Sequence, residues 1–157
     1  MVTRVMCDSM VHDAVARNDW NLKHLIEQCR AAGHVVFKTT RVQLMQLARI
    51  PVHKDIGQAS AINAERIGIS MFFCGLSRVG EDRLGGPAIK SAFEALRTGN
   101  PKHSPDALIG ITALTDADIL VTDERDFRNR FRRLCTRVQT MSSAEFAWYL
   151  ASLLAAS

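Results

Sequence analysis

Between Ser104 and Phe127 the chain reads SPDALIGITALTDADILVTDERDF, and three of its acids are placed to act together. Asp106 opens a short apolar helix, and the buried-strand run Ile119-Leu120-Val121 ends in Thr122-Asp123-Glu124. A helix feeding a strand is half of a parallel-sheet unit, and such sheets gather their chemistry beyond the C-terminal ends of the strands. Val2 to Cys7 (VTRVMC) supplies a first strand with Asp8 at its end. With both strands central in one sheet, Asp8, Asp106 and Asp123 share an edge. Carboxylates brought together repel unless something positive lies between them, and oxygen ligands of this kind suit a hard divalent cation.

The elements that must position these acids follow from the pattern. Trp20 to Ala32 carries apolar or small residues at Leu22, Leu25, Ile26 and Cys29, a helical spacing, and Gly33 stops it. His34 to Phe37 reads as the second strand. Thr39-Thr40 reads as the cap of a short helix that carries Gln46 and ends before Pro51. Gln58 to Ile67 is expected to be helical, and Ile69 to Cys74 a strand or a buried turn. Ser77 to Pro87 holds three glycines and a proline and reads as loop. Ala88 to Leu96 returns to helix, and a loop over 98–105 delivers Asp106. Ser142-x-x-Glu145 makes a capping box before an apolar helix, Phe146 to Leu154, whose Trp148 and Tyr149 could pack on the sheet or on a second subunit. Alternating strands and helices predict a single α/β domain over 1–157.

Composition narrows the class. A chain of 157 residues, 47% hydrophobic and 23% charged, suffices for one core. No apolar run reaches bilayer length, and the first residues lack the apolar core of a secretory signal, so the expected location is cytoplasmic. Cys7, Cys29, Cys74 and Cys135 show no metal-binding spacing and read as small hydrophobes. The five histidines form no ligand pair, and no catalytic base is expected among them. There is no nucleophile elbow and no phosphate-cradling glycine loop. Asp116, Asp118 and Asp126 read as surface, while Phe127 packs.

The net charge of +4 suits a polyanionic partner, and its distribution says more. Arg125, Arg128, Arg130, Arg132 and Arg133 fall within nine residues, directly after Asp123-Glu124. A basic flank beside an acidic pocket suits phosphodiester cleavage, with arginines on the backbone and a metal at one phosphate. Read blandly, the same run is a solvated helix face. Arg78 and Arg83, in the glycine-rich loop, are further candidates to reach substrate, and the Thr122 hydroxyl is placed to orient the acids.

Asp8 after a first strand, the PDALIGITAL helix and the LVTDERDF strand end together resemble a PIN domain, a metal-dependent ribonuclease fold. The resemblance runs from Arg4 to about Leu134 and is strongest over 105–127. It implies a three-layer α/β/α domain with a central parallel sheet. It also implies an endoribonuclease using Mg²⁺ or Mn²⁺ held by Asp8, Asp106, Asp123 and Glu124, with Arg41, Arg78, Arg125 and Arg128 as candidates for the RNA backbone. Many bacterial members are toxins of toxin–antitoxin pairs, restrained by a small antitoxin protein and often homodimeric. Two positions depart from the pattern. Asp8-Ser9-Met10 replaces the commoner Asp-Thr-Asn, and Gln46 stands where a Glu is expected. An amide offers one oxygen but neither negative charge nor basicity, so reduced activity is expected. The alternative is a catalytically degenerate fold that binds RNA or protein without cutting. A phosphoacceptor receiver would need paired early acids and a later lysine, and neither is present.

Overall fold

The computed structural model describes residues 2–48, 62–71 and 83–156. Its centre is a sheet of five parallel strands: β1 (Thr3–Cys7), β2 (Val35–Thr40), β3 (Glu65–Ile67), β4 (Ile119–Val121) and β5 (Gln139–Met141), in the order β3-β2-β1-β4-β5. Among the described residues seven α-helices flank it: α1 (Ser9–Ala16), α2 (Leu22–Ala31), α3 (Arg41–Ala48), α4 (Pro87–Arg97), α5 (Ser104–Asp116), α6 (Arg125–Leu134) and α7 (Ser143–Ala155). The expected three-layer α/β/α architecture with a central parallel sheet is what the chain adopts.

Strand alternation explains the layers, because successive side chains point to opposite faces. Val5, Cys7, Val35, Phe37, Ile119 and Val121 share one buried cluster with residues of α1, α2 and α7. Met6 and Leu120 join the other cluster, with Phe93 and Leu96 of α4, Leu108 and Ile111 of α5, and Phe127 and Phe131 of α6. With both faces covered, β4 reads as an unbroken apolar run, as a central parallel strand must.

Several expectations are corrected. The expected Gln58–Ile67 helix is overridden at its end, where Glu65–Ile67 is strand, drawn into register with Lys38–Thr40 and fastened by a Lys38–Glu65 ion pair. Residues 58–61 of that stretch lie outside the described residues, as do 72–74 of the Ile69–Cys74 run. Its described part, Ile69–Met71, is not strand, although Ile69 is buried. The expected helix from Trp20 begins only at Leu22: Asp19–Asn21 is a 3₁₀ turn, and Trp20 and Asn21 have φ of 57°. The second strand runs on to Thr40, so Thr39 and Thr40 are strand residues that also begin the helix turn.

The Ser142/Glu145 capping box is present, and α7 lies on its own sheet, with Phe146 buried and Tyr149 stacked beside it. Trp148 remains exposed. Cys7 and Cys29 are buried and unpaired, Cys135 is partly buried and unpaired, and Cys74 lies outside the described residues. Asp118 and Asp116 are not idle surface acids. Asp118 takes a bidentate bond from Arg4 (2.7 and 3.0 Å) that ties the approach to β4 onto β1, and Asp116 holds Arg83 at 3.0 Å. No helix among the described residues is long and apolar enough to cross a membrane.

Candidate functional site

The chain leaves β1 toward β2 on one side, whereas β4 and β5 lie on the other, so the order reverses between β1 and β4. A parallel sheet opens a crevice at such a point, beyond the carboxyl ends of its strands. Cys7 pairs with Val121 across it, and the Asp8 amide donates to the Val121 carbonyl at 2.9 Å. Asp8 therefore follows β1 directly at the crevice, and Asp123 follows β4 by two residues. Helix α5 runs back toward β4 with its first turn at the same edge, which brings in Asp106.

Asp8 is the most constrained of the acids. It caps α1, and its Oδ1 accepts from the amides of Met10 (3.0 Å) and Val11 (3.1 Å). It is 9% exposed, and burial pushes its pKa up to about 6. The Thr122 hydroxyl and the Val11 amide oppose that shift, while the charges of Asp123 and Asp106 add to it. Asp8 is thus within electrostatic reach of both other acids. The same two neighbours of Cys7, Asp8 and Asp123, reinforce the burial that holds its thiol well above the usual range, so Cys7 stays protonated. Thr122 acts as expected of it: fully buried, it bonds to Asp8 and accepts from the Glu124 amide at 3.2 Å.

The other acids have their own ties. Asp123 is exposed and accepts from the Ser143 amide at 2.8 Å, pinning the start of α7. Glu124 precedes α6, and its Oε1 lies 3.5 Å from Arg130, which turns it toward that helix. Asp106 is half-buried, and its Oδ1 accepts from the Gln46 side-chain nitrogen at 3.1 Å. The Gln46 Oε1 is buried and has no hydrogen-bond partner among the described residues. Among the described residues, no group of three or more His, Cys, Asp or Glu is drawn in closely enough to hold a metal ion. The donor chemistry, carboxylate oxygens with one orphaned amide oxygen, is of the kind a hard cation takes.

Sequence reasoning passed over Gln43, which fixes how α3 meets the crevice. It is fully buried. Its Oε1 accepts from the Thr40 amide (2.7 Å) and from the hydroxyls of Thr39 and Thr40, and its nitrogen donates to the Cys7 carbonyl. One side chain therefore ties the end of β2 to the end of β1 and starts the helix that carries Gln46. The signal was available: Thr40 and Gln43 stand in the threonine-x-x-glutamine spacing of a capping box.

The arginines divide. Arg128 donates to the Thr122 carbonyl at 2.6 Å, and Arg132 donates to the Thr140 hydroxyl (2.6 Å) and carbonyl (3.0 Å), so both brace the sheet edge from α6. Arg130 lies over the Phe127 ring, 5.8 Å from its centre. Arg125 and Arg133 are exposed. Arg41 opens α3 at the same edge as the acids. Arg83 is a correction: its partner Asp116 ends α5, ten residues and about 15 Å of helix from Asp106. Arg78 lies outside the described residues. His103 is turned toward Thr98 and Asn100.

No family model, no curated protein and no solved structure matches the chain.

Proposed function

We propose that the chain is a metal-dependent endoribonuclease that hydrolyses RNA phosphodiester bonds at the β1/β4 crevice. The observation that carries this reading is the gathering of three carboxylates at one sheet edge, with Asp8 buried beside the charges of Asp123 and Asp106. Burial raises Asp8 to a pKa of about 6, the charges of Asp123 and Asp106 add to it, and among the described residues no cationic side chain opposes it. Carboxylates gathered in this way favour something positive between them. Asp8, Asp106 and Asp123 would hold one or two Mg²⁺ or Mn²⁺ ions, with Glu124 assisting and the Gln46 Oε1 as a neutral ligand or an acceptor that orients water. Such a cation lowers the pKa of a bound water and takes up charge on the phosphate. The protein's own part is positional: Thr122 and the α1 amides fix Asp8, Ser143 fixes Asp123, and Gln46 fixes Asp106. Arg125, beside the acids and exposed, would hold an RNA phosphate, and Arg41 would take another. By resemblance to PIN domains, a small antitoxin and a second copy of the chain are the partners to look for.

A second reading, a binding module that does not cut, is favoured by the Gln46–Asp106 hydrogen bond. It gives Asp106 an internal donor in place of a cation. Cleavage of a mixed RNA pool with Mn²⁺ or Mg²⁺, beside Asp106→Asn, separates the two. Metal-dependent cleavage that disappears in Asp106→Asn supports a nuclease. Cleavage only after Gln46→Glu identifies a nuclease fold switched off at that position. Silence from both, with RNA still bound, leaves the binding module.

A further inference from the structure

A second concavity lies one helical turn from the acids. It has a volume of about 230 Å³ and is lined among the described residues by His12, Thr39, Leu44, Leu47, Asn63 and Arg66, with Ile62 and Ala64 also on its wall. His12 stands four residues after Asp8 on α1, about 6 Å along the helix. Leu47 adjoins Gln46 on α3. Thr39 and Arg66 are register partners across the β2–β3 pairing. The concavity therefore belongs to the same sheet edge as the acids, displaced toward β3.

We propose that this concavity is a base-recognition pocket, taking one unpaired purine, guanine best, beside the phosphate held at the acids. The inference rests on the reading of the chain as an RNA-acting protein and adds what it selects. The volume is smaller than the 300–1,000 Å³ of pockets for drug-sized ligands and suits a single base. Leu44, Leu47 and Ile62 offer apolar walls for a base face. Arg66 and Asn63, both exposed at the rim, offer the edge contacts. Guanine presents adjacent acceptors at O6 and N7 that an arginine fork matches, and an asparagine amide carries both a donor and an acceptor for the remaining edge. Single-stranded RNA is read in this way, with bases splayed out, stacked on flat or apolar side chains and bonded at their edges.

The test is titration of the ¹⁵N-labelled full chain with GMP, AMP, CMP and UMP, with ribose 5-phosphate as the baseless probe. Expected are amide shifts at Asn63, Ala64 and Arg66, and GMP bound at least about tenfold more tightly than CMP, within the range of one bidentate base contact. Arg66→Ala and Asn63→Ala, both at exposed positions, should each bring that ratio below about threefold and leave the remaining spectrum in place. Equal affinity for all four nucleotides and ribose 5-phosphate would overturn the pocket, as would shifts confined to the arginines of α6. Cleavage assays separate this from the nuclease reading. Guanine-selective binding without cleavage keeps the pocket and removes the nuclease, whereas cleavage with no base preference and no selective binding does the reverse.

Discussion

The side-chain nitrogen of Gln46 donates to Oδ1 of Asp106 at 3.1 Å, so a neutral amide stands against this carboxylate. A glutamate here would place a second carboxylate against Asp106, and such a pair tends to hold one proton between them unless a cation lets both ionise.

Gln46→Glu should therefore be less stable than the parent in EDTA at pH 7.5, by about 1–2 kcal/mol, the cost of a partly buried like-charge contact. It should gain more stability from Mg²⁺ or Mn²⁺ than the parent does. Thermal melts with and without metal check both halves. An identical metal response in parent and variant would remove Gln46 from the account of metal affinity.

Asp8 gives a pH prediction whose sign is fixed. Its folded pKa, about 6, lies above the ordinary carboxylate value of 3.8, so the folded chain binds more protons between those limits. Its contribution favours folding below about pH 4 and is lost as pH rises through 6. Asp8→Asn keeps a good helix cap while removing the buried charge. It should stabilise the protein above pH 6 by up to about 3 kcal/mol, with the gain shrinking toward pH 4, and it should abolish any metal-dependent cleavage. Urea unfolding at pH 4.5 and 7.5 measures the difference.

How much of this was legible differs from element to element. The β4 run, α5 and the α7 capping box were readable because their signals are local: an apolar triplet, a helix-opening Asp, a Ser142/Glu145 pair. Strands β3 and β5, three residues each, were not, because they exist through pairing with β2 and β4 and have no pattern of their own. The acids were legible by residue type and position. Their ties were not: that Asp123 would accept from the Ser143 amide, and that Arg128 would serve the Thr122 carbonyl, depends on segments 6 to 20 residues apart meeting at one edge.

Gln43 should prove costlier to lose than any of the acids. Gln43→Ala leaves a cavity and strips the partner from the Cys7 carbonyl and the Thr40 amide, both inside the protein. A loss of about 2–4 kcal/mol in urea unfolding is expected. Gln46→Ala, one turn along the same helix and only partly buried, should cost far less. Equal losses would contradict the role given to Gln43.

Arg125 and Arg128 should separate binding from stability. Arg125 is exposed and near the acids, so Arg125→Ala should leave the melting temperature unchanged. It should weaken RNA binding uniformly across sequences and lower the salt slope by about one. Arg128→Ala should instead lower stability by about 1–2 kcal/mol, because its guanidinium holds the Thr122 carbonyl at 2.6 Å. Fluorescence anisotropy at several salt concentrations, beside melts of each variant, reads both effects.

Gly110 links the core to the position of Asp106, one turn earlier on α5. A Cβ there would come 2.7 Å from a Leu96 methyl and 3.0 Å from the Phe127 ring, and both neighbours are buried. Neither can swing into solvent, so a methyl is admitted by repacking Leu96 and Phe127 or by moving α5 away from α4 and α6. Gly110→Ala gains helix propensity of about 1 kcal/mol. Overpacking costs about 1–3 kcal/mol, so the net change should be zero to modest destabilisation. The sharper readout is the site: displacing α5 lengthens the Gln46–Asp106 bond and should weaken metal binding even in a variant that melts normally. Isothermal titration of Mn²⁺ into parent and variant decides it, and unchanged affinity would mean that Asp106 is held by its local turn rather than by the seating of the helix.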